Sequence, residues 1–207
     1  MYDGRILLFY GVLCYSKRKK KSMNNGKIED VILVENKITR DVIDNLKKPY
    51  FNLIKNNEVV DYIHKYCKKL LSYSMKNHSS KEMAYAINLT NLDFVGAAFG
   101  DVRTIDITPL VRLMDNKNHV YMVIHNHPSD NPFSPRDLDT FFSTSNLMIL
   151  IVVGNKGSIY VIEKCTRISK EEYLDIKKHI INYKKNIMNF SEIIEELSKY
   201  NIFYSSL

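Results

Sequence analysis

The stretch that most restricts what this chain can fold into is Met148-Ile149-Leu150-Ile151-Val152-Val153, an apolar run without polar alternation. A strand with one wet face alternates, so an unbroken run of this length reads as a strand covered on both faces. Such a strand needs helices to cover it. Upstream, residues from Pro135 to about Ser143 place Leu138, Phe141 and Phe142 on one side of a helix. Earlier still, residues 57–76 repeat Val60, Ile63, Cys67, Leu70 and Leu71 at three- and four-residue intervals, the signature of an amphipathic helix. The pattern is that of an α/β (α+β) chain with a mixed sheet flanked by helices. Its 207 residues suffice for one good core and an appended helical piece.

The remaining elements follow from local signals. Val31-Ile32-Leu33-Val34 reads as a strand, and Thr39 precedes a short helix through Val42, Ile43 and Leu46 that ends near Pro49. Glu82 opens a strand from about Met83 to Leu89, Thr90–Asp93 forms a turn, and Phe94–Phe99 returns as a hairpin. Thr108-Pro109 starts another helix, and Val120–Ile124 is a strand by its β-branched content. Asn155-Lys156-Gly157 is a turn before a strand over Ser158–Ile162. From Ser169 the pattern is helical, with Tyr173, Ile176, Ile180 and Ile181 on its apolar side and a second short helix over 191–199.

Charge and cysteine usage narrow the function classes. The formal net charge of +7 comes mostly from dispersed lysines. It would suit an acidic or nucleic-acid partner, but its dispersal outside one run favours a lysine-solvated surface. The sequence holds no helix-hairpin-helix, zinc finger or aromatic-basic interleaving, so nucleic-acid binding is an alternative without a motif. Cys14, Cys67 and Cys165 form no CxxC pair, which argues against a disulfide framework or thiolate finger and implies a reducing, cytoplasmic setting. The apolar run Ile6–Tyr15 is short of the roughly 20 residues a bilayer span requires. The Lys17–Lys21 cluster follows that run, whereas a secretory signal carries its charge in front. A short interfacial anchor, or a true start at Met23, remain the readings of this stretch.

The chemistry gathers where Val120–Ile124 runs into His125-Asn126-His127-Pro128, with Ser134-Pro135-Arg136-Asp137 just beyond. Histidines at i, i+2 on a strand share one face. Two imidazoles and a carboxylate about ten residues on make a first-row metal constellation. Three protein ligands leave a fourth position for water, the arrangement of a catalytic zinc rather than a structural one. The Ser134–Asp137 segment also reads as a capping box with Pro135 first in the helix. Both readings are compatible, because a rigid helix start would hold Asp137 in place. Asp139 is the rival ligand. His64, His78 and His119 read as surface or packing residues, and Asn126 as structural, since it alternates to the opposite face. The consecutive letters H-N-H are not the dispersed residues that name HNH nucleases.

With Glu82, His125, His127, Ser134 and Asp137 in hand, the chain resembles the RadC-like group of JAB/MPN (JAMM) metalloprotease domains. The resemblance covers about residues 58–165, with an N-terminal extension over 1–57 and a C-terminal helical extension over 166–207. The usual spacing from the second histidine to the aspartate is one residue longer and would land on Leu138, so the intervening loop here is shorter. The resemblance implies a cytidine-deaminase-like mixed sheet flanked by helices. It implies one Zn²⁺ held by His125, His127 and Asp137, with water in the fourth position. Glu82 would take that water's proton and hand it to the leaving amine, and Ser134 would steady the oxygen of the tetrahedral intermediate. The expected reaction is hydrolysis of a peptide or isopeptide bond in a polypeptide substrate.

Overall fold

The computed structural model describes residues 32–207 and, ahead of them, two strands. In chain order the strands are β1 (Gly4–Phe9), β2 (Val12–Lys17), β3 (Met83–Asn88), β4 (Asp93–Phe99), β5 (Tyr121–His127), β6 (Leu147–Gly154), β7 (Ile159–Lys164) and β8 (Ile202–Ser206). The helices are α1 (Arg40–Asp44), α2 (Asn57–Asn77), α3 (Thr108–Leu113), α4 (Pro135–Ser143), α5 (Lys170–Lys184) and α6 (Phe190–Ser198), with a 3-10 turn at Val34–Asn36. Six strands run side by side as β4-β3-β5-β6-β7-β8, and β2, paired to β1, extends this sheet at β4. The sheet is mixed: β5 and β6 are parallel, as are β2 and β4, and the other neighbours are antiparallel.

The unbroken apolar run is indeed doubly covered. Leu150 and Val152 of β6 pack with Phe133, Leu138, Phe141, Ile176 and Ile193 on the α3–α6 side. Ile149, Ile151 and Val153 pack with Ile63, Cys67, Leu70 and Leu71 of α2 on the other. β5 alternates in the same way, with Tyr121 and Val123 toward the first layer and Met122 and Ile124 toward the second. Parity therefore sends His125 and His127 to the α4 side and Asn126 to the α2 side. Ile38, Leu46 and Phe51 join the α2 layer, so the segment before residue 58 is packed into this core.

Three expectations need correction. The strand expected over Val31–Val34 is not formed in its described part: Ile32 is buried, while Leu33 and Val34 are exposed at the start of the 3-10 turn. β-branched composition was the only signal there, and no strand among the described residues pairs with it. β5 does not stop at Ile124 but carries both histidines inside the ladder, where His125 and His127 sit opposite Val152 and Gly154 of β6. The C-terminal extension is not wholly helical, since β8 pairs with β7 and completes the sheet. The apolar run near the N-terminus lies across β1 and β2; Arg18–Lys21, Met23 and Val31 fall outside the described residues. No helix among the described residues is long and apolar enough to cross a membrane.

Lys164 gives the fold a titratable core group. Its buried ammonium donates to the carbonyls of Phe141 (3.0 Å) and Thr144 (2.8 Å), capping the exit of α4, and lies 4.6 Å from the centre of the Phe141 ring. Burial pulls its pKa from 10.5 down to about 7. The unfolded chain keeps the proton up to the higher value and the folded chain only to the lower, so across this interval the unfolded state binds more protons. Stability therefore rises with pH between them. Lys164→Met should cost roughly 2–4 kcal/mol at pH 9, because two buried carbonyls lose their donor. The cost should be visibly smaller at pH 6, where the variant escapes burying a charge. Urea unfolding at both pH values tests this; equal losses would refute titration at this position.

Candidate metal centre

Parity and capping together build the site. The end of β5 presents both imidazoles on the α4 side. Ser134 then starts α4 with a capping box: its Oγ accepts from the Asp137 amide at 3.2 Å, and its own amide donates to Asp137 Oδ2 at 2.7 Å. The cap turns the Asp137 carboxylate toward the strand end. His125 Nε2 and His127 Nε2 stand 3.0 Å apart. Asp137 Oδ1 is 3.4 Å from the first, and Oδ2 is 3.4 Å from the second. Ligand atoms of the three residues all lie within 4.8 Å of one another.

These residues fit a small divalent cation. Bonds of about 2.0–2.1 Å in a tetrahedron give ligand-to-ligand edges of about 3.3 Å, close to the separations found. His127 Nδ1 faces the Asn131 carbonyl at 2.9 Å, which fixes the ring proton on Nδ1 and leaves the Nε2 lone pair for the shared point. His125 Nδ1 is buried and has no hydrogen-bond partner among the described residues, so none of them pins the proton of that ring. Burial lowers the His125 pKa, aided by the neighbouring imidazole, and keeps that ring neutral. Burial acts the same way on His127, but the Asp137 carboxylate facing it outweighs that and raises its pKa. Burial alone would raise the Asp137 pKa, yet the two imidazoles drive it well below the ordinary carboxylate range. The group thus offers one firm anion and two nitrogens, a set that could hold a divalent metal ion.

Glu82 lies just before β3, the strand that pairs with β5 and sets Ala84 opposite His125. It is only 6% exposed. Burial raises its pKa to about 7, against a smaller opposing pull from His127. Glu82, His127 and Asp137 line one cavity of about 1590 Å³. That cleft is lined also by Arg103 in the loop after β4 and by Ile181 and Lys184 of α5. Tyr173 and Tyr183 anchor α5 there, donating to Asp139 Oδ1 at 2.9 Å and to the Phe133 carbonyl at 3.3 Å.

Four of the expected residues therefore face one point or one cavity, and Ser134 lines it as well. The Ser134 oxygen is engaged as the cap acceptor, which leaves its proton free to donate. Asp139, the rival ligand, is bound elsewhere, to Tyr173 and, at 3.4 Å, to Lys177. His64 and His78 bond the carbonyls of Leu46 and Gly100, and His119 meets the Asn88 amide, so none joins the centre. Cys67 is buried with its thiol pushed up to about 12, and Cys165 is free and exposed.

Two supporting residues went unseen in the sequence. Asp130 sits in the left-handed region (φ 58°) and folds the loop after His127 back onto the sheet. Its carboxylate accepts from the Lys156 amide (3.0 Å) and Ser158 Oγ (2.6 Å). Asn155 reads as a turn residue in sequence but is completely buried. Its amide donates to the His127 carbonyl at 3.0 Å. Neither carries a motif of its own, so only the fold reveals them. Comparison with family models, curated proteins and solved structures returns no match for this chain.

Proposed function

We propose that this chain is a zinc-dependent hydrolase of peptide or isopeptide bonds, of the RadC-like JAB/MPN type. One observation carries the reading: two strand imidazoles and a helix-start carboxylate converge within 4.8 Å, and a buried glutamate opens on the same cavity. The placement also supports the fold assignment, with the glutamate ahead of β3, the imidazoles ending β5 and the aspartate in the first turn of α4. Bound at this centre, zinc would lower the pKa of a water to about 7 and polarise a carbonyl as a Lewis acid. Glu82 then accepts the proton of the attacking water and delivers it to the departing nitrogen. Its burial keeps a proton available near neutrality, and a cation beside it would draw its pKa back down. Ser134 donates its free proton to the developing oxyanion. The cleft lined by the Arg103 loop and α5 leaves room for a stretch of polypeptide.

Metal content tests the reading directly. Wild-type protein loaded with zinc and dialysed should retain about one zinc per chain. His127→Ala should retain less than a tenth of that with an unchanged circular dichroism spectrum. A His127→Ala protein that still holds stoichiometric zinc would remove these residues from the metal site.

A further inference from the structure

We infer that Asn126 and Asn155 form a positioning pair that sets where the Glu82 carboxylate stands. The inference rests on the hydrolase reading and goes beyond it. Asn126 lies between the two candidate ligands, but its side chain leaves by the opposite face, toward the start of β3. There the Met83 amide donates to its Oδ1 at 2.9 Å, and its Nδ2 donates to the Lys81 carbonyl at 3.2 Å. Those two backbone groups flank Glu82. The backbone of Glu82 itself bonds the other way, its amide to the Asp101 carbonyl (2.9 Å) and its carbonyl from the Gly100 amide (2.8 Å). The β3–β5 ladder ends at Ala84 and His125, so the Asn126 amide extends the hold of β5 on this stretch past the last ladder pair.

The second amide continues the chain of bonds. Asn126 Nδ2 also donates to Asn155 Oδ1 at 2.8 Å. Asn155 Nδ2 in turn donates to the carbonyls of Ser80 (2.9 Å) and Asn36 (2.8 Å). Both asparagines are completely buried, and their side-chain amide groups are engaged at both ends. The segment they grip has two consecutive residues in the left-handed region, Ser79 (φ 53°) and Ser80 (φ 61°). Such backbone costs free energy for L-residues and persists only when its surroundings hold it. Asn155 also bonds the His127 carbonyl through its own amide, so one residue touches both the ligand strand and the approach to the glutamate. A side chain that works at hydrogen-bond range loses rate steeply when displaced by about 1 Å. The pair therefore fixes Glu82 without touching substrate.

The test uses the full zinc-loaded chain and the best substrate found in a quenched-fluorescence peptide library. Asn155→Ala lies off the ligand strand and should keep about one zinc per chain and its KM, while kcat falls roughly 10- to 100-fold. Asn126→Ala removes the acceptor of the Met83 amide and should lower kcat in the same way. Hydrogen exchange gives a readout apart from turnover: the Met83 amide should lose protection in Asn155→Ala while residues 149–153 stay protected. A kcat unchanged in Asn155→Ala, or reduced only in step with lost zinc, overturns the inference. If wild-type protein cleaves no library peptide, the peptide-bond half of the hydrolase reading falls, and unchanged protection at Met83 in Asn155→Ala would still overturn the pairing.

Discussion

Glu82→Gln is expected to lower kcat by about 10²- to 10⁴-fold while the protein keeps its zinc. The substitution preserves size and a hydrogen-bonding end. It removes the one group lining the cavity, among the described residues, that is buried, is not a ligand and carries a pKa of about 7. Glutamine can neither take the proton of an attacking water nor return it to the leaving nitrogen. The pH dependence gives the sign. On the proposed mechanism Glu82 acts as a base in its ionised form, so wild-type kcat/KM should rise with pH through its pKa. The charge of a bound cation moves that rise below pH 7. The residual activity of the variant should lack this rise. Zinc content by atomic emission and rate profiles from pH 5 to 9 decide the matter. A variant that cleaves at the wild-type rate would take Glu82 out of the chemistry.

Gly154→Ala should be among the most damaging substitutions away from the ligands. A Cβ at this position would stand 1.7 Å from Asp130 Oδ1 and 2.5 Å from its Cγ. The aspartate cannot swing aside cheaply, because Lys156 and Ser158 hold its carboxylate. Either the end of β6 shifts against His127, its partner in the ladder, or Asp130 is expelled and the loop after His127 loses its fold. We expect a loss of about 2–4 kcal/mol from overpacking and broken hydrogen bonds. Zinc affinity should fall with it, since His127 Nδ1 depends on Asn131 in that same loop. Urea denaturation with a parallel zinc titration measures both. Wild-type stability in the variant would show that Asp130 is free to move.

The layers and the candidate metal-holding group were legible because strong periodic signals coincide with burial. The run from Met148 to Val153 announced a doubly covered strand, and the helical repeat over 57–76 marked its cover. Ser134 through Asp137 reads as a helix start from sequence and forms one. Val31–Val34 misled because β propensity reflects packing against neighbours, and no described strand is there to supply it. Ile202–Ser206 escaped because its pattern is too mixed for periodicity to register; its place is set by pairing with β7. The i, i+2 histidines and the nearby aspartate were visible as a set. Asn126 could be read as structural from its alternation, but Asp130 and Asn155 could not, because they act through side-chain contacts across 26 to 119 positions of sequence that leave no local trace.

The capping box has an evolutionary consequence. The Asp137 carboxylate closes the first turn of α4 and also faces both imidazoles, so a single side chain serves two masters. Asparagine would keep the turn but forfeit the anion, and glutamate would reach the cap while overshooting the histidines. Drift at this position is therefore blocked from two independent directions, and sequences descended from this one should change almost anything around the cleft before they change that residue.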